Sequence, residues 1–413
     1  MSTSQTTTPE FCPNQHCDYH FKGPEGRRWY YRSGYYYTKA FGPVQRYRCR
    51  RCGFHFSQQT FRLDYFVKKP VSYRQVFERI TGGGGLRGTG RSLHLSHQGI
   101  ANRLGRLARQ SLALQAILTA ELKLQENLAA DGFESFVTDQ YMPNNIHILV
   151  GADSQFLYAF DYAHLRRKGR MSERQKTERQ RREERYIRKP ISITRSFMRI
   201  IDDVEQLIYR KRDKGEGQES EGVDVRQWQV QESQQEKIQK DRQGDSCLIL
   251  DTDEKLEYRR VIEGSDVLSW LAERGQFSHR RTNSRLQRTV RNPLFPVNYL
   301  DRQIRKDNAN HVRETVQFSR DVDSCMERIA VYQLFHNFLK PFRVDDLQKR
   351  QLRHAEVAGI PKERIEMELF DVFRLRKFYS HVKLSFSQLL IWARMIGNRD
   401  RLSGGYRPRY VWM

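Results

Sequence analysis

Four of the six cysteines fall in two close pairs near the start of the chain, and that spacing constrains the fold more than any other feature. Cys12 and Cys17 form a C-x4-C pair; Cys49 and Cys52 form a C-x2-C pair followed by Gly53. Two tight pairs joined by a longer loop can aim four thiolates at one tetrahedral ion, the layout of a zinc ribbon. Gly53 suits the turn after the second pair, where a positive φ is often needed. His16, His20 and His55 could each replace a thiolate, but four cysteines already fill the shell. Cys247 and Cys325 read as small core residues. The opening Met1-Ser-Thr-Ser-Gln-Thr-Thr-Thr-Pro9 has no apolar centre, so the expectation is no secretory signal, a reducing compartment and no disulfides.

Lys and Arg number 73 against 49 Asp and Glu, giving a formal charge of +24 in 413 residues. A surplus of this size points to a polyanionic partner, nucleic acid first, because neutralised phosphates release counterions. A merely basic, soluble chain is the plainer alternative. No apolar run approaches the roughly 18–20 residues of a membrane span, so no membrane partner is expected. Between the cysteine pairs, Arg27 to Lys39 interleaves basic and aromatic residues. These could stack on bases or simply pack a β-hairpin.

Composition and periodicity divide the rest. Residues 1–10 read as a disordered tail and 11–65 as the ribbon. Residues 66–112 read as a helix-turn-helix: a helix near Tyr73 to Ile80, the breaker Gly82 to Gly85, a helix from Leu86 to Leu95, then one from His97 to Arg109 capped by Ser96. That third helix would offer His97, Gln98, Asn102, Arg103 and Arg106 to a major groove; an ordinary helical hairpin is the alternative. Residues 111–128 read as a connecting helix. Leu128 to Val137, Ile146 to Gly151 and Phe156 to Phe160 are strand-like runs expected to form an antiparallel meander, and Leu248 to Asp253 is a further buried strand. The polar stretch about 165–245 is either a solvated helix face or a basic arm along DNA. Residues 325–400 read as mostly helical. The chain is therefore expected to be α/β.

Three acids stand out by position. Asp131 lies within the first strand of the meander, Asp253 at the end of the later strand, and Asp301 near the start of an expected helix. Carboxylates at neighbouring strand ends plus one on a packing helix can converge on two Mg²⁺ or Mn²⁺ ions for phosphoryl transfer. Asp251 shares a strand face with Asp253 and rivals it; Glu134 and Glu314 are lesser rivals.

At this point the sequence resembles bacterial insertion-sequence transposases of the DDE type, similar to the insertion-sequence-one-like group. The resemblance rests on the cysteine ribbon followed by a helix-turn-helix, on Asp131-Gly-Phe-Glu-Ser-Phe136, on Thr252-Asp253-Glu254 with Tyr258, and on Leu300-Asp301-Arg302-Gln-Ile-Arg305 followed by Arg313 to Arg320. It spans roughly residues 10–340. It implies an RNase H-like catalytic domain over 113–340, a mixed sheet with flanking helices, and a helical C-terminal region over 341–413. The long gap between the first two acids implies a basic helical insertion about 163–245. The third acid is usually Glu in that family, one methylene longer than Asp301.

The implied activity is metal-dependent cleavage at insertion-sequence ends, followed by attack of the freed 3′-hydroxyl on target DNA. Asp131 would bridge two Mg²⁺ (or Mn²⁺) ions, and Asp253 and Asp301 would hold one each. Mutual repulsion should raise the carboxylate pKa values of the metal-free site. Arg302, Arg305 and Lys306 would contact phosphates, or else form surface ion pairs. Implied partners are double-stranded DNA, at element ends and target, and further copies of the chain in a homo-oligomer assembled on DNA. The implied location is the prokaryotic cytoplasm, at the nucleoid. A catalytically inactive DNA-binding regulator or domesticated relic is the alternative from another class; a repair or junction nuclease is a third.

Overall fold

The structure is a computed structural model that describes residues 8–24, 27–185, 192–209, 247–283, 285–312, 315–343 and 351–397. Strands β1 (Tyr30–Thr38), β2 (Gly42–Cys49) and β3 (His55–Ser57) form an antiparallel sheet in that order. Alternation along the strands buries Tyr30, Tyr47 and Phe56 together with Trp29. Trp29 stacks on Phe56 at 5.6 Å, and Tyr30 meets Tyr47 edge-on at 5.0 Å. The aromatic stretch between the cysteine pairs therefore divides: Trp29 and Tyr30 pack the core, while Tyr31, Tyr35 and Tyr37 are exposed.

This small sheet is docked against the far end of the chain. Phe11 packs on Phe378 at 4.9 Å, and His20 Nε2 shares a 2.7 Å hydrogen bond with Ser380 Oγ. Leu63 N–H donates to the Arg374 carbonyl, and Arg376 N–H to that of Phe61.

Helix α1 (Tyr73–Thr81) buries Tyr73, Val76, Phe77 and Ile80, the spacing of one helical stripe. Helix α2 (Leu86–Ser92) stops three residues earlier than expected, and His94 adopts a φ of 53° in the turn that follows. Helix α3 (His97–Thr119) begins where Ser96 Oγ accepts from Gly99 N–H at 3.1 Å. The sequence suggests two helices here, to Arg109 and from 111, but the structure has one continuous helix. No glycine or proline interrupts residues 106–119, and Ser111 Oγ donates back to the Leu107 carbonyl without breaking the turn.

The second sheet has the order β6-β5-β4-β7-β8. Strands β4 (Leu128–Phe136), β5 (Pro143–Gly151) and β6 (Leu157–His164) form the expected antiparallel meander. β7 (Leu248–Thr252) runs parallel to β4, and β8 (Phe277–Arg281) runs parallel to β7. The sheet is thus mixed. On β5, His147 lies opposite Gly132 of β4 and Asp161 of β6. Helix α5 (Ser192–Tyr209) covers that face: Ser196 Oγ and His147 Nδ1 share a 2.7 Å hydrogen bond, and Arg199 binds the fully buried Asp161 at 2.7 Å. The next side chain on β4, Phe133, points the other way and meets Arg305 of helix α8 (Phe295–Asp307). Helices therefore pack on both faces.

The stretch expected to be either a solvated helix face or a basic arm divides in two. Helix α4 (Glu173–Arg185) is a solvated face laced with ion pairs such as Arg182–Glu178 at 2.8 Å. Helix α5 instead buries Phe197, Ile200, Ile201 and Val204 on the sheet, because apolar residues recur there at helical spacing. Residues 210–246 lie outside the described residues. Helices α6 (Leu256–Glu263) and α7 (Asp266–Glu273) link β7 to β8. Beyond α8 follow α9 (Val322–Phe338), α10 (His354–Val357), α11 (Lys362–Phe370) and α12 (Phe386–Trp392). Among the described residues no helix is long and apolar enough to cross a membrane.

Glu327, on α9, is 2% exposed and 3.4 Å from Arg394. Burial, opposed by Arg394 and Arg109, pushes its carboxyl from 4.5 up to about 7. Between those values the native state keeps a proton that the unfolded chain has released, so stability falls as pH rises across that window. Glu327→Gln is expected to abolish this fall, on the order of 3 kcal/mol. Urea midpoints at pH 5 and pH 8 check it; an equal pH dependence in the variant would refute the assignment.

Candidate active site and metal centre

The four N-terminal cysteines converge. Their sulfurs all lie within 4.8 Å of one another, with Cys12–Cys52 at 3.7 Å and Cys17–Cys49 at 3.8 Å. Four ligands about 2.3 Å from one zinc ion, tetrahedrally arranged, sit about 3.8 Å apart, so this donor set could bind a structural zinc. The knuckles hold the sulfurs from the backbone. Tyr19 N–H donates to Cys17 Sγ at 3.4 Å, and Gly53, at φ 72°, closes the second turn onto the Cys49 carbonyl. Burial pushes the Cys12 and Cys17 thiols up, so a cation is needed to hold all four as thiolates. His20 is no ligand: its Nδ1 is bonded to the Cys12 carbonyl and its Nε2 to Ser380. His16 and His55 are exposed.

The second cluster is built at the carboxyl end of β7. Asp131 and Asp253 come together across adjacent strands, and a side chain that the sequence did not single out lies between them. Lys255 Nζ is 3.2 Å from Asp131 Oδ1, 3.0 Å from Asp253 Oδ2 and 3.1 Å from Tyr258 Oη. Asp253 also accepts the Lys255 backbone N–H through Oδ1 at 3.0 Å. Tyr258 is fixed by stacking on Phe197 at 4.0 Å and by the edge of His147 at 5.4 Å. Asp131 Oδ1 further accepts the Gly132 amide at 2.7 Å. A side chain at Gly132 would collide with Asn145 and His147, so only glycine lets the backbone sit there.

Burial raises the Asp131 carboxyl above its ordinary range, the Lys255 ammonium opposes this, and the Asp253 charge adds to it. Against its own burial, the Asp131 carboxylate holds Lys255 protonated well above the usual lysine range. Burial, with help from Lys255 and Arg199, lowers His147 to about 3, so this imidazole is neutral.

Asp301 sits midway along α8, not near its start, and its carboxylate accepts from Arg305 Nε at 2.9 Å. Arg305 also donates to the Glu134 carbonyl at 2.8 Å and so ties α8 to β4. Among the described residues only the cysteines bring three or more ligand atoms within 4.8 Å of one another; the three aspartates do not. Each cation draws its own carboxylate: Lys255 gathers Asp131 and Asp253, while Arg305 holds Asp301 along its helix. Asp251 is 2% exposed and clasped by Arg280 of β8 at 2.5 and 2.8 Å, apart from the Lys255 cluster. Glu134 is exposed, and Glu314 lies outside the described residues.

The residues expected to face a major groove separate into two groups. His97, Gln98 and Asn102 are exposed on the first turns of α3, with Gln98 Nε2 bonded to Asn102 Oδ1 at 3.1 Å. Arg103 is buried and donates to the Gly99 and Lys69 carbonyls; Arg106 donates to the Leu63 carbonyl. Contrary to the groove-facing expectation, these two guanidinium groups brace α3 against the segment before α1, where backbone carbonyls need donors. Arg302 and Lys306 are exposed on α8, and Arg305 is the half-buried tie just described.

Lys255 carried one sequence signal: a lysine two residues after a strand-end acid and three before a tyrosine. No family model matches this chain, and no curated protein matches it.

Proposed function

We propose that this protein is a DNA transposase that cleaves at insertion-sequence ends with divalent metal and joins the freed 3′-hydroxyl to target DNA. The observation that carries the reading is the convergence of Asp131 and Asp253, from adjacent parallel strands, on a single cationic position. A mixed sheet with helices on both faces supports an RNase H-like core around it. Hard carboxylate oxygens facing one point fit Mg²⁺ or Mn²⁺.

When bound, such ions would polarise the scissile phosphate and activate the attacking oxygen. The chain's own residues do the rest. Asp131 and Asp253 supply oxygen donors from rigid strand positions, and neutral His147 and Tyr258 wall the site. Asp301, paired with Arg305 on α8, would have to be the third donor. Arg302 and Lys306 offer exposed charge to the DNA backbone. The exposed His97, Gln98 and Asn102 of α3 would read base edges, and the four-cysteine sheet, as a zinc ribbon, would grip the duplex beside them. A homo-oligomer on DNA, working at the bacterial nucleoid, would bring two ends together.

The alternative, a DNA-binding relic without catalysis, is disfavoured by the retained Asp131–Asp253 pair. The test is a cleavage and strand-transfer assay with Mg²⁺ or Mn²⁺ on the DNA flanking the gene. Nicking at the element end is expected. Binding without cutting in either metal would move the reading to the relic.

A further inference from the structure

We propose that Lys255 is a built-in competitor for the divalent cation at the Asp131–Asp253 pair, so that metal loads only when its ammonium swings out. This rests on the reading of that pair as a metal site. An ammonium has three N–H donors. Here Nζ donates to Asp131 Oδ1 at 3.2 Å and to Tyr258 Oη at 3.1 Å, and pairs ionically with Asp253 Oδ2 at 3.0 Å. The lysine therefore sets its charge against the two carboxylates that a metal would need.

The arrangement is held from several sides. Tyr258 is fully buried and clamped by Phe197 and His147, so its hydroxyl is a fixed third anchor. Lys255 Nζ also lies 4.8 Å from the centroid of the Tyr258 ring. Lys255 immediately precedes α6, and its backbone N–H is bonded to Asp253 Oδ1. That backbone bond survives when the side chain leaves, so Asp253 stays oriented for metal. The side chain is 31% exposed, which gives the ammonium an outward path. A metal ion and an ammonium cannot occupy one point, so each must weaken the other's binding.

The experiment uses the full-length, zinc-loaded chain and Mn²⁺ as the probe, with binding followed by the loss of the free-ion resonance in electron paramagnetic resonance. Wild type, Lys255→Met and the double variant Lys255→Met with Asp131→Asn are compared without DNA. Lys255→Met is expected to bind Mn²⁺ at least tenfold more tightly than wild type, and the added Asp131→Asn to remove that gain. Thermal melting verifies that the variant is folded; Lys255→Gln replaces it if it is not.

Equal Mn²⁺ affinity in wild type and the lysine variant would overturn the proposal, as would a gain that persists without Asp131. The two readings fail separately. Tighter Mn²⁺ binding by the lysine variant beside a wild type that cuts no DNA leaves the competition standing and removes the transposase. Equal, Asp131-dependent binding with active cleavage does the reverse.

Discussion

Asp131→Asn and Asp253→Asn are each expected to lower strand cleavage by on the order of 10³-fold, with duplex binding unchanged, because a lost metal ligand removes several kcal/mol of transition-state stabilisation. An amide keeps the shape of the carboxylate but not its charge, so the change isolates the cation-binding role. Asp301→Asn should also abolish cleavage if α8 delivers the third donor. Asp251→Asn is the informative contrast. Its carboxylate is spent on Arg280 at 2.5 Å, so the variant should cut normally and lose about 2 kcal/mol of stability from one charge-assisted hydrogen bond. Gel assays of nicking alongside urea melts separate the four. Full cleavage by Asp131→Asn, or loss of cleavage in Asp251→Asn with stability intact, would reject the assignment.

Removal of zinc is expected to have an effect of similar size on a different part of the molecule. The core of the three-stranded sheet has seven buried residues, three of them the cysteines Cys12, Cys17 and Cys49. So small a cluster cannot offset the entropy of ordering its strands, whereas structural zinc in such modules contributes about 10 kcal/mol or more. A strong chelator should therefore melt β1 to β3 and free residues 374–381, which dock on that module through Phe11 and His20. The five-stranded sheet should keep its own core. Hydrogen exchange resolves the three regions: amide protection should vanish over 30–57, weaken near 374–381 and persist in 128–164. Duplex affinity should fall in parallel. Unchanged exchange over 30–57 would refute a structural metal there.

Local chemistry made much of this legible in the sequence. Cysteine spacing, the Ser96 cap and the strand-like apolar runs at 128–137 and 146–151 each declare themselves within a few residues. What escaped depends on partners far along the chain. Arg103 is expected at a groove for its charge, but it lies beside the Ile100, Leu104 and Leu107 stripe and the Lys69 carbonyl claims it. Lys255 reads as a surface charge until β4 brings Asp131 beside it. Helix α5 was hidden by averaging: Ile193, Phe197, Ile200, Ile201 and Val204 keep helical spacing, but they sit within a stretch whose composition is dominated by Arg, Glu and Gln.

The unbroken course of α3 carries a mechanical consequence. Its 23 residues span about 35 Å at 1.5 Å each. The end bearing His97 and Gln98 is exposed, while Gln115, near the other end, is bonded to Asn337 of α9 and the Leu157 carbonyl of β6. The helix is thus a strut with one foot against the five-stranded sheet and the other at the surface. A protein that grips DNA at the outer foot would measure the distance to its cut as a calliper does, by the length of a stiff arm.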